Sequence, residues 1–439
     1  MMSPNTYNAQ GRIMSIRLSR ASRRALTIVS ILGSAVTGAA FLGGAFAQPA
    51  APLVNPPAVS ISREPLNTDP STWVGCTHVA KGGPAGVPGM LCAPSIQTGD
   101  PAKQAALRAQ RDAYLAANPP PAPGTPNPAA AAAAAAATAP VVCGPNPYAP
   151  AAAAPAGGRG PARMPQNGRG PIRVAFITQG HEYEREQLAQ MLDCLGDDIK
   201  YSHIEYPAAE LALTPAAGKN FFDVYVFYDL GGPGVGVTGP KGEPGYRFYP
   251  DPSPALKRNF EALVKAGTAG MVFIHHAAAA WAHTWPEYSE VVGGACDWYA
   301  PVTVRGILDP HHGYYGNTPQ TLTIQDRNHA LARNLPATFQ VTDEAYACAW
   351  FPDSVKPFLT TSFSPPDPLV NLNPKRQYSN LAAWYKAAEN TPVFYTQVGH
   401  GNSPWRVAEY QLMIRNAIRW AASPEAHAWA RANRARIWK

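Results

Sequence analysis

The sequence predicts a doubly wound α/β fold over residues 171–425. Three observations predict it. Short β-branched and aromatic runs, bounded by Gly and Pro, read as strands buried on both faces. Such runs alternate with segments of helical period through short connections. Two of them, Gly270-Met-Val-Phe-Ile-His275-His276 and Thr391-Pro-Val-Phe-Tyr-Thr-Gln-Val-Gly399-His400, end in histidine. Ligands of an open α/β sheet bind beyond the carboxyl ends of its strands, so two imidazoles delivered there predict a site.

The elements follow in order. Residues 172–177 make the first strand and lead into Gly180-His181. Residues 182–195 make a helix, with Leu188, Met191, Leu192 and Leu195 at helical spacing. Residues 199–206 and 222–228 make the next strands, and a long Gly/Pro loop runs from 229 to 252. Ser253 caps a helix to residue 266, with Pro254 at its first position. Residues 270–275 make the fourth strand. Strands are then expected at 302–307, 321–324, 339–342 and 357–361. A hairpin pair is expected at 381–385 and 393–397, and a closing helix at 404–422. Tyr410, Met413, Ile414, Ala417, Ile418 and Trp420 form the apolar face of that helix.

The remaining chain has a different character. Of the chain's 47 prolines, 24 lie before Pro171, as does the alanine run 129–137. Arg17, Arg20, Arg23 and Arg24, an apolar stretch over 26–46 and Ala45-Phe46-Ala47 read as a signal peptide, residues 1–47. A Sec signal fits better than a twin-arginine one, and translation starts at Met1 or Met14. The expected destination is the periplasm or beyond. Residues 48–170 form a Pro/Ala-rich extension, largely disordered, that acts as a spacer or wraps the globular part. It holds an island at 71–93, a helix at 100–117 and a linker at 119–140. Residues 426–439 read as a tail.

Six cysteines in an exported chain permit disulfides, and Cys76 with Cys92 is the natural local pair. The formal charge of +7 comes largely from the signal, the linker and the tail. No basic stripe with interleaved aromatics is present, which argues against nucleic-acid binding. No later segment is long and apolar enough to span a membrane. No P-loop, dinucleotide fingerprint or H-E-x-x-H occurs.

The candidate chemistry is histidine and carboxylate. His181 follows the first strand at the start of a helix. His275 and His276 are adjacent in a strand, which would send their side chains to opposite faces and leave only one facing a given site. The segment continues as alanines, with no Ser or Cys where a nucleophile elbow would carry one. Cys296 and Cys348 are the only thiols near the crevice, and a disulfide would remove them as nucleophiles. Asp343-Glu344 follows a strand and supplies a general base, an orienting partner or a metal ligand. Gly399-His400-Gly401 closes the last strand. His329 and the rim pair His311-His312 are further candidates. Trp281, Trp285, Tyr288, Trp298 and Tyr299 make either a sugar-stacking platform or a core.

These landmarks, in this order, resemble the ThuA-like family, named for trehalose utilisation, from about residue 172 to 422. The resemblance rests on Gly180-His181, the strand ending His275-His276-Ala277 and Trp285-Pro-Glu-Tyr-Ser-Glu-Val-Val-Gly-Gly294. It continues in Asp326-Arg-Asn-His329, Asp343-Glu344-Ala-Tyr346, the strand ending Gly399-His400 and the helix ending Ala417-Ile-Arg-Trp420. It implies a flavodoxin-like three-layer sandwich with a mostly parallel sheet, like a class I glutamine amidotransferase without the amidotransferase cysteine. It also implies sugar or keto-sugar chemistry on a small-molecule carbohydrate. His181, His275, Glu344 and His400 would form the catalytic centre and the set for a divalent metal such as zinc. His276, Trp281, Trp285, His329 and Tyr346 would contact substrate. His276 departs from the family, which has a small polar residue there, and Thr391-Pro392 stands where a Gly-Lys-Gly-Arg-type turn is common.

Overall fold

Alternate side chains of the central strands are buried on opposite faces of one sheet, and this sets the layers. The computed structural model describes residues 139–148, 171–231, 246–282, 284–296, 313–364 and 379–438, and shorter pieces at 76–79, 89–92, 235–237, 302–305 and 307–309. The expected signal peptide, the helix at 100–117, the His311-His312 rim and the pair Trp298-Tyr299 lie outside the described residues.

The main sheet has nine strands. In chain order they are β1 (Ile172–Gln179), β2 (Ile199–Glu205), β3 (Val224–Asp229), β4 (Gly270–Ile274), β5 (Gly313–Ile324), β6 (Thr338–Ala347), β7 (Lys356–Thr361), β8 (Leu381–Ala388) and β9 (Thr391–Thr396). The spatial order is β6-β5-β7-β8-β9-β4-β3-β1-β2. From β9 to β2 every neighbouring pair is parallel, and from β6 to β9 every pair is antiparallel. The expected mostly parallel sheet is thus a mixed one, parallel over one half. The parallel half places β1 between β2 and β3, so the strand order reverses at β1. Such a reversal opens a crevice at the carboxyl ends.

Two cores lie on the two faces. Val174, Phe176, Val226, Val272 and Ile274 face one side, where they meet α1 (Arg185–Asp193). Ala175, Ile177, Tyr225, Phe227, Met271 and Phe273 face the other, where they meet α2 (Pro254–Ala266) and α3 (Pro286–Val292). The first core is completed by α4 (Ala408–Ala421), through Tyr410, Met413, Ile414 and Ile418. Two buried faces explain why these strands read as continuous apolar runs. Ser253 caps α2 by accepting from Leu256 N–H, as its sequence predicts.

Gly270 shows how tightly β4 meets α4. A Cβ there would land on the Ala421 carbonyl and 2.7 Å from its Cβ. Gly270→Ala should therefore destabilise the protein by about 1–3 kcal/mol through overpacking. Urea unfolding checks this, and a loss below about 0.5 kcal/mol would show that the helix shifts freely.

Several sequence expectations need correction. The expected helix over 182–195 begins only at Arg185, after a loop. The closing helix over 404–422 is two helices, Asn402–Trp405 and α4, because Val407 is extended. At that break the Trp405 carbonyl accepts instead from Gln411 Nε2. The Gly/Pro loop after β3 contains strands Val235–Val237 and Tyr246–Pro250, which join Cys76–Val79 and Gly89–Cys92 in a small sheet. Cys76 stands opposite Cys92 in that sheet. The expected tail forms α5 (Pro424–Ala432) and then docks, with Arg434 and the Ile437 N–H both bonded to buried Glu389.

Part of the extension packs on the body. Val141 is buried, and Cys143 is bonded to Cys194 at the end of α1. Gln411 of α4 accepts from Gly144 N–H at 2.7 Å and donates to the Val142 carbonyl at 3.0 Å. Among the described residues, no helix is long and apolar enough to cross a membrane.

Candidate functional site

The carboxyl ends of the parallel strands carry unusual backbone. Gln179, Gly180, Gly231, His275, Trp281 and Gly399 all have φ between +50° and +140°. Residues held in such conformations cost of order 1–3 kcal/mol when they are not glycine, and they gather at functional sites.

His275 is the pivot. β4 ends at Ile274, and His275, with φ of +56°, opens a 3-10 turn, His275–Ala279. Strand alternation no longer applies at this point. Both His275 and His276 therefore turn toward the crevice and both are buried, which corrects the expectation that only one could face it. His275 Nδ1 donates to the Gln397 carbonyl at 2.6 Å, and its own carbonyl accepts from the Tyr395 hydroxyl at 3.1 Å. A carbonyl can only accept, so Nδ1 carries a proton and Nε2 is the atom turned to the crevice.

Around Nε2 the site converges. His400 Nδ1 lies 3.0 Å away and Glu344 Oε2 3.2 Å away. Glu344 Oε2 is also 3.2 Å from His400 Nδ1. The Tyr346 hydroxyl donates to His275 Nε2 and lies 3.4 Å from Glu344 Oε2. His276 completes a group with His275 and His400 in which one nitrogen from each lies within 4.8 Å of the others. His181 forms one wall, its ring stacked on His276 at 4.7 Å and edge-on to His400 at 5.1 Å. Its Nδ1 is bonded to the Glu182 carbonyl.

Three residues hold this arrangement, and of them the sequence had singled out Asp343 alone. Buried Asp343 accepts from Gly399 N–H at 2.6 Å and from His400 N–H at 3.3 Å, fixing the turn. The Tyr228 hydroxyl donates to the His400 carbonyl, and its ring lies 4.4 Å from His276. Gln397 orients His275. Tyr228 and Gln397 sit near strand ends, and that position was the available signal.

The electrostatics set two imidazoles of depressed basicity, His276 and His400, around one carboxylate. Burial, reinforced by the charge of His275, pushes His400 down to about 3. Burial likewise holds His276 well below the usual imidazole range, with His181 and His275 adding to the effect. Burial alone would raise Glu344, but the His275 hydrogen bond and the positive potential of His275, His400 and His181 outweigh it and leave it lowered. The centre thus presents a carboxylate and basic nitrogen lone pairs, the equipment for moving a proton or holding a cation.

The other expected residues lie elsewhere. Trp285 is buried against Phe260 and Tyr288 in the second core. Trp281 is half-buried over Gly231 and packs on Tyr206 and Tyr288. His329 caps a 3-10 turn and stacks on Tyr385 at 4.1 Å, away from the crevice, because its ring fills the first core beside Trp420. Cys296 and Cys348 are bonded to each other, and among the described residues no cysteine is free. A covalent thiol mechanism is thereby removed.

Asp229 ends β3, and burial raises it from 3.8 to about 7, with the Gly231 N–H and Tyr206 as opposing influences. The folded protein keeps this proton up to about pH 7, whereas the unfolded chain loses it near 4. The buried acid therefore costs stability progressively as pH rises between those values. Asp229→Asn should gain stability relative to the parent by about 2 kcal/mol or more at pH 8 and by little below pH 4. Denaturation midpoints at the two pH values test this, and an equal difference at both would refute it.

A nine-stranded, mixed α/β sheet with histidines at the end of β4, where a nucleophile elbow would carry its nucleophile, defines the class of fold and site. Residues 251–421 match the family described as ThuA, trehalose utilisation. Similar solved structures include a ThuA-like protein from Parabacteroides merdae. It is 17% identical with a TM-score of 0.41, over 57% of this chain and 90% of that one. A ThuA-like protein from Bacteroides uniformis is 19% identical, with a TM-score of 0.39, over 61% and 95%. A glutamine amidotransferase from Thermotoga maritima is 12% identical, with a TM-score of 0.25, over 52% and 74%. No curated protein matches the chain.

Proposed function

We propose that the chain is an exported enzyme acting on a sugar or keto-sugar by acid–base or metal-assisted chemistry at the histidine cluster. One observation carries the reading. Glu344 Oε2, His275 Nε2 and His400 Nδ1 converge within 3.0 to 3.2 Å beyond the strand ends. Glu344, held ionised, takes a proton from carbon or hydroxyl beside a carbonyl. The Tyr346 hydroxyl meets the oxygen on which negative charge develops. Such chemistry needs no covalent nucleophile.

Export is supported by the signal-like N-terminus and the two disulfides. Amino-terminal sequencing of the secreted protein should find Gln48, and recovery of the uncleaved chain from the cytoplasm would sink that part. The sugar reading is tested with a panel of sugars and keto-sugars. Calorimetry reports binding, and nuclear magnetic resonance in heavy water reports proton exchange beside the carbonyl. Binding without exchange or turnover of any member would favour a non-catalytic carbohydrate-binding protein, and neither binding nor turnover would remove both readings. Trp285 and Tyr288 are buried, so neither offers a face for sugar stacking.

A further inference from the structure

We propose that His275, His276 and His400 form a three-imidazole centre for one divalent transition-metal cation, with Glu344 beside it as the proton-moving carboxylate. This ligand set differs from the one expected from sequence, which held His181 and Glu344 and left His276 out.

Four observations carry it. The three residues offer nitrogens within 4.8 Å of one another. His275 Nε2 and His400 Nδ1 stand 3.0 Å apart, and nitrogens bound to one cation at about 2.0–2.1 Å lie roughly 3.0–3.4 Å apart. His275 donates its other ring N–H to a backbone carbonyl, the bond that orients metal-ligating histidines and fixes their tautomer. His276 is 1% exposed, yet neither of its nitrogens makes a hydrogen bond of ordinary geometry, although the Tyr228 backbone is near enough to raise its basicity slightly. A buried polar group left unpaired costs about 1–3 kcal/mol, and a cation would give His276 the partner it otherwise lacks.

The surroundings fit the same occupant. Glu344 brings one negative charge within 3.2 Å of two of the nitrogens. Imidazoles suit zinc, copper, nickel or iron, whereas magnesium and calcium need an oxygen cage. Three protein nitrogens leave a fourth position for water or a substrate oxygen. A cation on His275 Nε2 would displace the Tyr346 hydroxyl that now donates to it. His181 remains the wall that stacks on His276.

The test uses the untagged full chain, stripped with a chelator and dialysed. Zinc is titrated by calorimetry and cobalt(II) by its visible absorption. One equivalent should bind, with the intense bands of a four- or five-coordinate cobalt site. His276→Ala should weaken binding at least about 100-fold. His329→Ala, outside the cluster, should leave affinity within about twofold. His276→Gln, which keeps the volume without the imidazole, guards against a packing artefact, and circular dichroism reports folding of each variant. Absence of stoichiometric uptake by the wild type overturns the proposal, as does wild-type affinity in both His276 variants. Cation uptake without turnover of any sugar would sink the sugar reading alone, so the two can fail separately.

Discussion

Glu344→Gln is expected to lower turnover by about two to four orders of magnitude on whichever sugar the panel identifies. The substitution keeps the side-chain volume and removes the charge and the proton-accepting oxygen. Oε2 is the atom shared between His275 Nε2 and His400 Nδ1, each at 3.2 Å. Loss of that charge also removes the opposing influence that limits the fall in His400 basicity. The effect should fall on kcat, with KM changed little, because proton transfer is made in the transition state. A loss below about tenfold would assign the proton transfer to another group. Thermal unfolding of the variant should stay close to that of the parent, since Glu344 is not part of either apolar core.

Loss of the Cys143–Cys194 disulfide is expected to cost about 4 kcal/mol. The bond closes a separation of 51 residues, and in the chain-entropy account a loop of that size contributes between about 3 and 4.7 kcal/mol. The effect should be more than entropic. The strap it secures buries Val141, bonds Tyr148 to Asn416 at 2.8 Å and accepts Asn402 Nδ2 at the Ala139 carbonyl at 2.6 Å. Asn402 lies two residues after His400, so the strap also supports the turn that presents the imidazole. Arg415, fully buried, donates to the Cys194, Leu195 and Pro145 carbonyls and spans strap and helix. Cys143→Ser and Cys194→Ser, singly and together, should show equal loss of denaturant stability. A double variant within about 1 kcal/mol of the parent would mean that the hydrogen bonds alone hold the strap.

Legibility differed by element. β1, β3 and β4 could be read almost to the residue, because a run buried on both faces has one composition and sharp ends. The direction of pairing could not. β8 is buried along its whole length and would look the same between parallel or antiparallel neighbours. The 139–148 strap was hidden by its composition, since Pro- and Ala-rich sequence carries no periodicity. Its ordering comes from a cysteine and from polar side chains on α1 and α4. His329 stood in as suggestive a sequence context as His400, yet it stacks in a core, and spacing along the chain holds no information about that.

The sequence by itself determined the α/β alternation, the strand ends that carry histidine and the lack of a nucleophile after Ile274. These follow from local composition and from periods of 2 and 3.6 residues. Tertiary structure alone decided which imidazoles meet. The left-handed backbone at His275 is held by bonds to Gln397 and Tyr395, residues 122 and 120 positions away. That turn brings His276 inward, where strand alternation would have sent it out. A side chain's direction at a strand end depends on partners distant in sequence, and only the folded chain places them.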